Sequence, residues 1–108
     1  MNNIRNERIT GIIRDLGARF LEEENNGSSL ITVTNVELSP DEKHATISFT
    51  VFPDKLEKTA LEFAKRKRSD FKSFVKSHSK LGKIPMFDFV IDMGEKHRQK
   101  IDDLLNQG

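Results

Sequence analysis

Residues 30–52 read LITVTNVELSPDEKHATISFTVF, and they carry the strongest indication of the fold. Its two halves, Leu30–Leu38 and His44–Phe52, are rich in β-branched residues and alternate between apolar and polar positions, which is typical of half-buried strands. Three apolar side chains of the second half share one face: Ile47, Phe49 and Val51. Between the halves, SPDEK places Pro40 at the first central position of a β-turn. We therefore predict an antiparallel hairpin.

The segment before the hairpin, Asn3 to Glu24, has its apolar residues at helical spacing and predicts an amphipathic helix. Its apolar arc comprises Ile9, Ile12, Ile13, Leu16 and Phe20. On a helix, Arg5, Arg8 and Arg19 lie together along one border of that arc. Asn25-Asn26-Gly27 then ends the helix, because these residues tolerate a left-handed backbone.

Two apolar stripes follow the hairpin and predict two helices. Pro53 stops the second strand, and Asp54 is suited to cap a helix that carries Leu56, Ala60, Phe63 and Ala64. The second stripe contains Phe71, Phe74, Val75, His78 and Leu81, and it ends before Gly82 and Pro85. No apolar residue occurs between Lys65 and Asp70, so we predict a break near Lys67–Ser69, with Ser69 as the cap of the second helix.

The remaining residues predict a third strand and a tail. Met86 to Asp92 alternates, with Phe87, Phe89 and Ile91 on one face. A short helix is expected from Met93, and the sequence leaves open whether the tail, residues 93–108, is ordered or flexible. The whole order predicts an α+β, type II KH-like fold with helices packed on one face of a three-stranded sheet. We expect residues 1–108 to form one domain.

Composition excludes several classes of protein. Cysteine is absent, and no apolar run is long enough for a membrane span or a signal sequence, which favours a soluble cytoplasmic protein. His44, His78 and His97 lack the spacing of metal ligands. Asp88 and Asp92 come without a nucleophile, a phosphate-binding Gly-rich loop or a histidine partner, so they do not indicate an active site. We expect these two carboxylates to solvate the outer sheet face. The prediction is no enzyme, metal, cofactor or small-molecule substrate.

The charge distribution indicates an anionic partner. The net charge is only +1, but residues 65–83 carry eight bases against one acid, Asp70. The bases are Lys65, Arg66, Lys67, Arg68, Lys72, Lys76, Lys80 and Lys83. Lys72, Lys76 and Lys80 recur every four residues, and like charges at this spacing destabilise a helix unless an anion compensates them. The alternative is a solvated helix face without a partner.

The chain resembles the ribosome-binding factor A family over nearly its whole length. The resemblance is carried by the amino-terminal helix with Arg5, Arg8 and Ile12, by ITVTNVELSPDEKHATISFTVFPD at 31–54, and by IPMFDFVIDMGEKHRQKIDDLL at 84–105. No two glycines are separated by two residues, so the G-x-x-G clamp of common KH domains is missing. The family has an Ala-x-Gly kink there instead, which falls on Lys67-Arg68-Ser69 in this sequence.

The resemblance implies a monomer that binds the 30S ribosomal subunit and its 16S rRNA during late maturation, with no membrane partner. We expect RNA contacts from Ser69, from all eight bases of residues 65–83, and from Arg5, Arg8 and Arg19. Ion pairs with Glu7, Glu22 and Glu23 are the alternative for the three arginines. Base stacking would need an exposed aromatic ring, for which Phe52 and Phe71 are candidates. A protein-interaction module and a KH-like binder of another RNA remain open as functions.

Overall fold

The computed structural model describes residues 3–25 and 27–106, apart from the side chains of residues 3, 103 and 106. The elements are α1 (Asn3–Glu24), β1 (Leu30–Leu38), β2 (His44–Phe52), a 3-10 turn (Asp54–Leu56), α2 (Glu57–Arg66), α3 (Arg68–His78), β3 (Met86–Ile91) and α4 (Met93–Asn106). The predicted order of helices and strands is confirmed. Asn26 lies outside the described residues, and Gly27 has the left-handed backbone expected after α1, with φ 84°.

The hairpin is antiparallel, as predicted, and it pairs Leu30 with Phe52 and Leu38 with Ala45. Its turn places Pro40 in the first central position, since the amide of Glu42 donates to the carbonyl of Ser39 at 2.9 Å. A bulge interrupts the register between Val33 and Asn35. The bulge shifts the phase of β1, so that Ile31 and Val33 before it and Val36 and Leu38 after it all pack against the core.

β3 pairs with β2 in parallel, and the sheet order is β1-β2-β3. A parallel pair needs a crossover, which α2 and α3 supply. The predicted break between these helices is a single residue, Lys67, with φ −96° and ψ 9°. Ser69 is not the cap that we expected: α3 begins at Arg68, and no side-chain hydrogen bond caps it.

The core lies between the inner face of the sheet and the first three helices. Its centre is Phe71, whose ring lies 4.6 Å from that of Phe87, 5.2 Å from that of Phe20 and 5.7 Å from that of Phe89, measured between centroids. Phe71 is fully buried, so the prediction that it is available for stacking is wrong. Phe52 is 70% exposed, since it ends β2 on the opposite face from Val51.

The starts and ends of three elements differ from the prediction. Asp54 does not cap α2, because the chain first makes the 3-10 turn, in which the amide of Leu56 donates to the carbonyl of Pro53 at 3.0 Å. α3 ends at His78, so Lys80 lies beyond the helix on which we expected it. β3 ends at Ile91, and Asp92 caps α4 instead: its Oδ1 accepts from the amide of Glu95 at 2.9 Å.

Candidate nucleic-acid interface

Asp88 binds two of the predicted cations at the edge of the sheet. Its Oδ1 lies 3.6 Å from Lys65 Nζ and accepts a hydrogen bond from Arg68 Nη1 at 3.3 Å. Arg68 also donates through Nε to the carbonyl of Lys65 at 3.0 Å, which joins the end of α2 to the start of α3. Asp88 lies on the outer face of β3, where we expected it only to contact solvent. It also neutralises part of the positive charge at the α2–α3 junction.

Lys67 is the cation at the junction itself, and two acids surround it. Its Nζ lies 3.8 Å from Glu24 Oε1 and 3.7 Å from Asp70 Oδ2. A pocket of about 350 Å³ opens at the start of α3, lined by Arg68, Ser69, Lys72, Met86 and Phe87. The expected phosphate site at the start of α3 thus exists as a surface, but two of the bases there, Lys67 and Arg68, already have acidic partners.

The remaining bases of the segment have no such partners. Lys72 and Lys76 lie on the exposed side of α3, and Lys80 and Lys83 lie on the segment that leads to β3. Within the described part of the chain no acid lies within 4.0 Å of any of these four ammonium groups, nor of the Arg66 and Arg8 guanidinium groups. Lys72 and Lys76 are one helical turn apart on α3. Together with Lys80 and Lys83, which follow them along the chain, they form a line of unpaired cations.

The line ends in a groove of about 570 Å³ between α1 and the segment after α3, which we call the amino-terminal groove. Four predicted site residues line it: Arg5, Arg8, Lys80 and Lys83. Its one acid among the described lining residues is Glu42, which accepts from Arg5 Nε at 3.1 Å and from Arg5 Nη2 at 3.0 Å. These hydrogen bonds, more than the charges of Arg5 and Lys83, lower the pKa of Glu42.

The three arginines of α1 have separate surroundings. Arg5 pairs with Glu42 rather than with Glu7, Glu22 or Glu23. Arg8 lines the amino-terminal groove. The guanidinium carbon of Arg19 lies 5.7 Å from the ring centroid of Phe74, on α3. The predicted basic border of α1 therefore faces α3 and the segment after it, but only Arg5 and Arg8 join Lys80 and Lys83.

Three acids that shape this surface were not assigned to it from the sequence: Glu24, Glu42 and Asp88. Each is distant in sequence from its cation, as in the 37 residues between Arg5 and Glu42. Rules based on the spacing of neighbouring residues, such as i, i+4 pairs on a helix, do not predict ion pairs of this kind. The only signal would have been the polarity of Asp88 on a strand whose other face is fully apolar.

The described residues offer neither a cluster of metal ligands nor a helix that could cross a membrane. No group of three or more His, Asp or Glu side chains is placed to hold a metal ion there. Each described helix is too short or too polar to cross a lipid bilayer.

The sequence comparisons point to one family. A family model described as ribosome-binding factor A matches residues 5–105. Ribosome-binding factor A of Thermomicrobium roseum is 27% identical over 110 residues, which cover 99% of this chain and 85% of that protein.

Two solved structures share the fold. The crystal structure of ribosome-binding factor A from Thermus thermophilus covers 80% of this chain and 93% of its own, with a TM-score of 0.71 and 17% identity. The solution NMR structure of a Thermotoga maritima protein, assigned provisionally as a ribosome binding factor A, covers 80% and 85%, with a TM-score of 0.63 and 22% identity. At such identities the likeness concerns the fold alone, and it agrees with the predicted KH-like class.

Proposed function

Because this chain belongs to the ribosome-binding factor A family, we propose that it is a cytoplasmic, monomeric assembly factor that binds the 30S subunit and its 16S rRNA during late maturation. Residues 1–108 would act as one RNA-binding domain without catalytic activity. The RNA surface would comprise the whole predicted set, from Arg5, Arg8 and Arg19 to Ser69 and the bases of residues 65–83. Lys72, Lys76, Lys80, Lys83 and Arg8 would contribute most; we call these five the basic line.

One observation carries the proposal: the basic line has no acidic partner within ion-pair distance among the described residues. Lys65, Lys67, Arg68 and Lys96 each have one. A paired cation must give up its acid before it binds a phosphate, whereas an unpaired cation gives up only water and counterions. Other described cations also lack an acid, Lys55, Lys58 and Lys100 among them, but the basic line places several unpaired cations in one segment and the groove beside it. RNA should therefore gain more binding free energy on the basic line than at the paired cations.

Phosphate contacts determine how such a surface behaves. Each neutralised phosphate releases condensed counterions, so the affinity falls steeply as salt rises, with a slope of about 0.7 to 0.9 per contact on a double-logarithmic plot. These contacts position the protein without reading sequence. Specificity for one place on the subunit would then come from the shape of the folded rRNA.

The test is co-sedimentation with purified small and large ribosomal subunits at low and moderate salt. A Lys72→Glu/Lys76→Glu/Lys83→Glu variant should lose salt-sensitive binding to the small subunit. A Lys55→Glu/Lys58→Glu/Lys100→Glu variant makes the same change in net charge at three exposed positions outside the basic line, and it should still bind. Equal loss in both variants would show a nonspecific charge effect, and binding to neither subunit by the unaltered chain would overturn the proposal.

An exposed apolar stripe favours a second function, a protein-interaction module. Ile101, Leu104 and Leu105 of α4 are 56%, 61% and 74% exposed and lie on one side of that helix. An apolar interface of this kind responds little to salt. Binding to the subunit that persists at moderate salt and is lost in an Ile101→Ser/Leu104→Ser variant would favour this reading over RNA contact.

A further inference from the structure

The amino-terminal groove differs from the rest of the basic surface because an acid of the chain itself lies in it. Among its described lining residues there are four cations, Arg5, Arg8, Lys80 and Lys83, against the single carboxylate of Glu42. That carboxylate is held by two hydrogen bonds from the planar guanidinium of Arg5. Such a fork binds carboxylate and phosphate oxygens in the same two-point geometry.

The backbone of Glu42 points to a particular role for this residue. Its φ is 60°, in the left-handed region, and it is the one non-glycine residue of the described chain with a positive φ. This region favours glycine or asparagine, because a side chain at Cβ is crowded there. A glutamate at this place in the turn brings its carboxylate to Arg5, where a glycine would leave the groove without an acid.

Lys83 and Arg8 make the groove suitable for a more highly charged ligand than one carboxylate. Lys83 is close enough that its charge helps to lower the pKa of Glu42. Arg8 and Lys80 line the groove without an acid within ion-pair distance in the described part of the chain. The Glu42 side chain is 28% exposed and that of Arg5 57% exposed, so both are accessible to a ligand that exchanges with the carboxylate.

We propose that the amino-terminal groove is a phosphodiester-binding site for the RNA backbone, and that Glu42 occupies the phosphate position on Arg5 until RNA displaces it. This rests on the proposed RNA-binding function and adds a location and a competitor to it. When RNA binds, Arg5 exchanges the carboxylate of Glu42 for a phosphate, while Arg8, Lys80 and Lys83 gain an anionic partner. Glu42 therefore lowers the affinity of the free protein for RNA.

The experiment measures binding of a fluorescent single-stranded oligouridylate to three proteins: the unaltered chain, Glu42→Gln and Glu23→Gln. Removing the competing charge at Glu42 should tighten binding by about three- to tenfold at low salt, from the energy of one charge at contact distance in the dielectric of bulk water, to which this exposed pair is open. Glu23 is also an exposed acid, but it lies 18 residues from Arg5 on the same helix, or about 27 Å. Its substitution should leave the affinity within about twofold, since salt screens charges at that distance.

A second variant and a second ligand complete the test. Arg8→Glu should weaken binding in the Glu42→Gln background as it does alone, because Arg8 contacts the phosphate directly. The NMR signal of Arg5 Nε–H should shift with oligouridylate in the unaltered chain. If inorganic phosphate produces the same shift with the same affinity, the site is one for free phosphate and the RNA assignment is wrong.

The result that overturns the inference is a Glu42→Gln affinity equal to or weaker than that of the unaltered chain, with both proteins folded by circular dichroism. That result would show that Glu42 only positions Arg5. Failure of the proposed function looks different: small subunits would not co-sediment with the unaltered chain, whatever the effect of Glu42→Gln on oligouridylate.

Discussion

Arg5 and Glu42 join the amino end of α1 to the turn between β1 and β2. Arg5 Nε donates to Glu42 Oε2 at 3.1 Å, and Arg5 Nη2 donates to Glu42 Oε1 at 3.0 Å. The same turn contains Asp41, whose carboxylate accepts from the Ser39 hydroxyl at 2.6 Å and from the Lys43 amide at 3.0 Å. The turn is thus held both by its own hydrogen bonds and by Arg5 of α1, which lies 37 positions before Glu42 in the chain.

The first prediction concerns the pH dependence of this pair. The hydrogen bonds from Arg5 lower the pKa of Glu42, so the pair stabilises the fold fully above the ordinary glutamate value of about 4.3. The stabilisation is lost as the pH falls through the lower, folded-state pKa. Arg5 has a raised pKa and stays charged throughout this range.

A double-mutant cycle of Arg5→Gln and Glu42→Gln, measured by urea unfolding at pH 7 and pH 3, isolates this pair from Asp41. The Ser39 hydroxyl, followed by the Lys43 amide, lowers the pKa of Asp41, so Asp41 contributes in the same pH window. The coupling free energy should be favourable at pH 7, smaller in high salt and smaller at pH 3. A coupling that is equal at both pH values would contradict the ion pair.

The second prediction compares two phenylalanines that occupy opposite environments. Phe71 is fully buried among Phe20, Phe87 and Phe89, so Phe71→Ala should lower the free energy of unfolding by about 3–5 kcal/mol. Phe52 is 70% exposed, and Phe52→Ala should change it by less than about 0.5 kcal/mol. Chemical denaturation measures both, and similar losses in the two variants would show that Phe52 has a packing partner.

The third prediction concerns the close approach of α1 to α3 and the sheet. A Cβ at Gly17 would lie 3.7 Å from Phe71 Cζ and 3.8 Å from Ile47 Cδ1, which are ordinary contact distances. Gly17→Ala should therefore stabilise the protein by about 0.5–1 kcal/mol through helix propensity. Gly17→Leu should destabilise it by about 1–3 kcal/mol, because the core has no room for the added atoms.

Gly11→Ala is the matched control for that measurement, since a Cβ there meets nothing within 4 Å. Gly11→Ala should raise the thermal stability by the same amount, through helix propensity alone. If Gly17→Ala destabilises the protein while Gly11→Ala stabilises it, α1 must pack closer to Phe71 than the 3.7 Å given above.

The fourth prediction concerns the cap of α4. Asp92 accepts from the Glu95 amide through Oδ1 and from the Thr34 hydroxyl through Oδ2. Asp92→Ala should lower the free energy of unfolding by about 1–2 kcal/mol, and Asp92→Asn should recover most of the loss, because asparagine caps nearly as well. Asp102→Ala, at an exposed position within α4, should have little effect on unfolding. The measurement is thermal unfolding followed by circular dichroism.

Local pattern was sufficient for the elements and for the class of fold. Alternation in the hairpin and the position of Pro40 predicted two strands and their turn, and the apolar stripes predicted α1, α2 and α3, because these signals involve residues within a few positions of each other. The boundaries differ from the prediction where two local signals compete. Ser69 and Asp54 are both favourable caps by type, but a 3-10 turn precedes α2 and Lys67 alone separates α2 from α3.

The bulge in β1 shows why pattern was not sufficient for register. Residues 30–38 alternate well enough to predict a strand, yet the side chains that reach the core change phase after Val33. Thr34 is the residue that the register of β1 with β2 skips, and its carbonyl accepts a hydrogen bond from Arg14 of α1. Only the packing of α1 against β1 determines that arrangement.

Composition and periodicity were sufficient to predict a concentrated basic segment and three strands, since both are properties of neighbouring residues. Which of those bases have acidic partners depends on the tertiary structure. It brings Glu24, Glu42 and Asp88 to cations that lie far from them in the chain, and it leaves Lys72, Lys76, Lys80 and Lys83 without an acid within ion-pair distance among the described residues. Electrostatic attraction depends on distance in space, and folding sets that distance independently of separation along the chain.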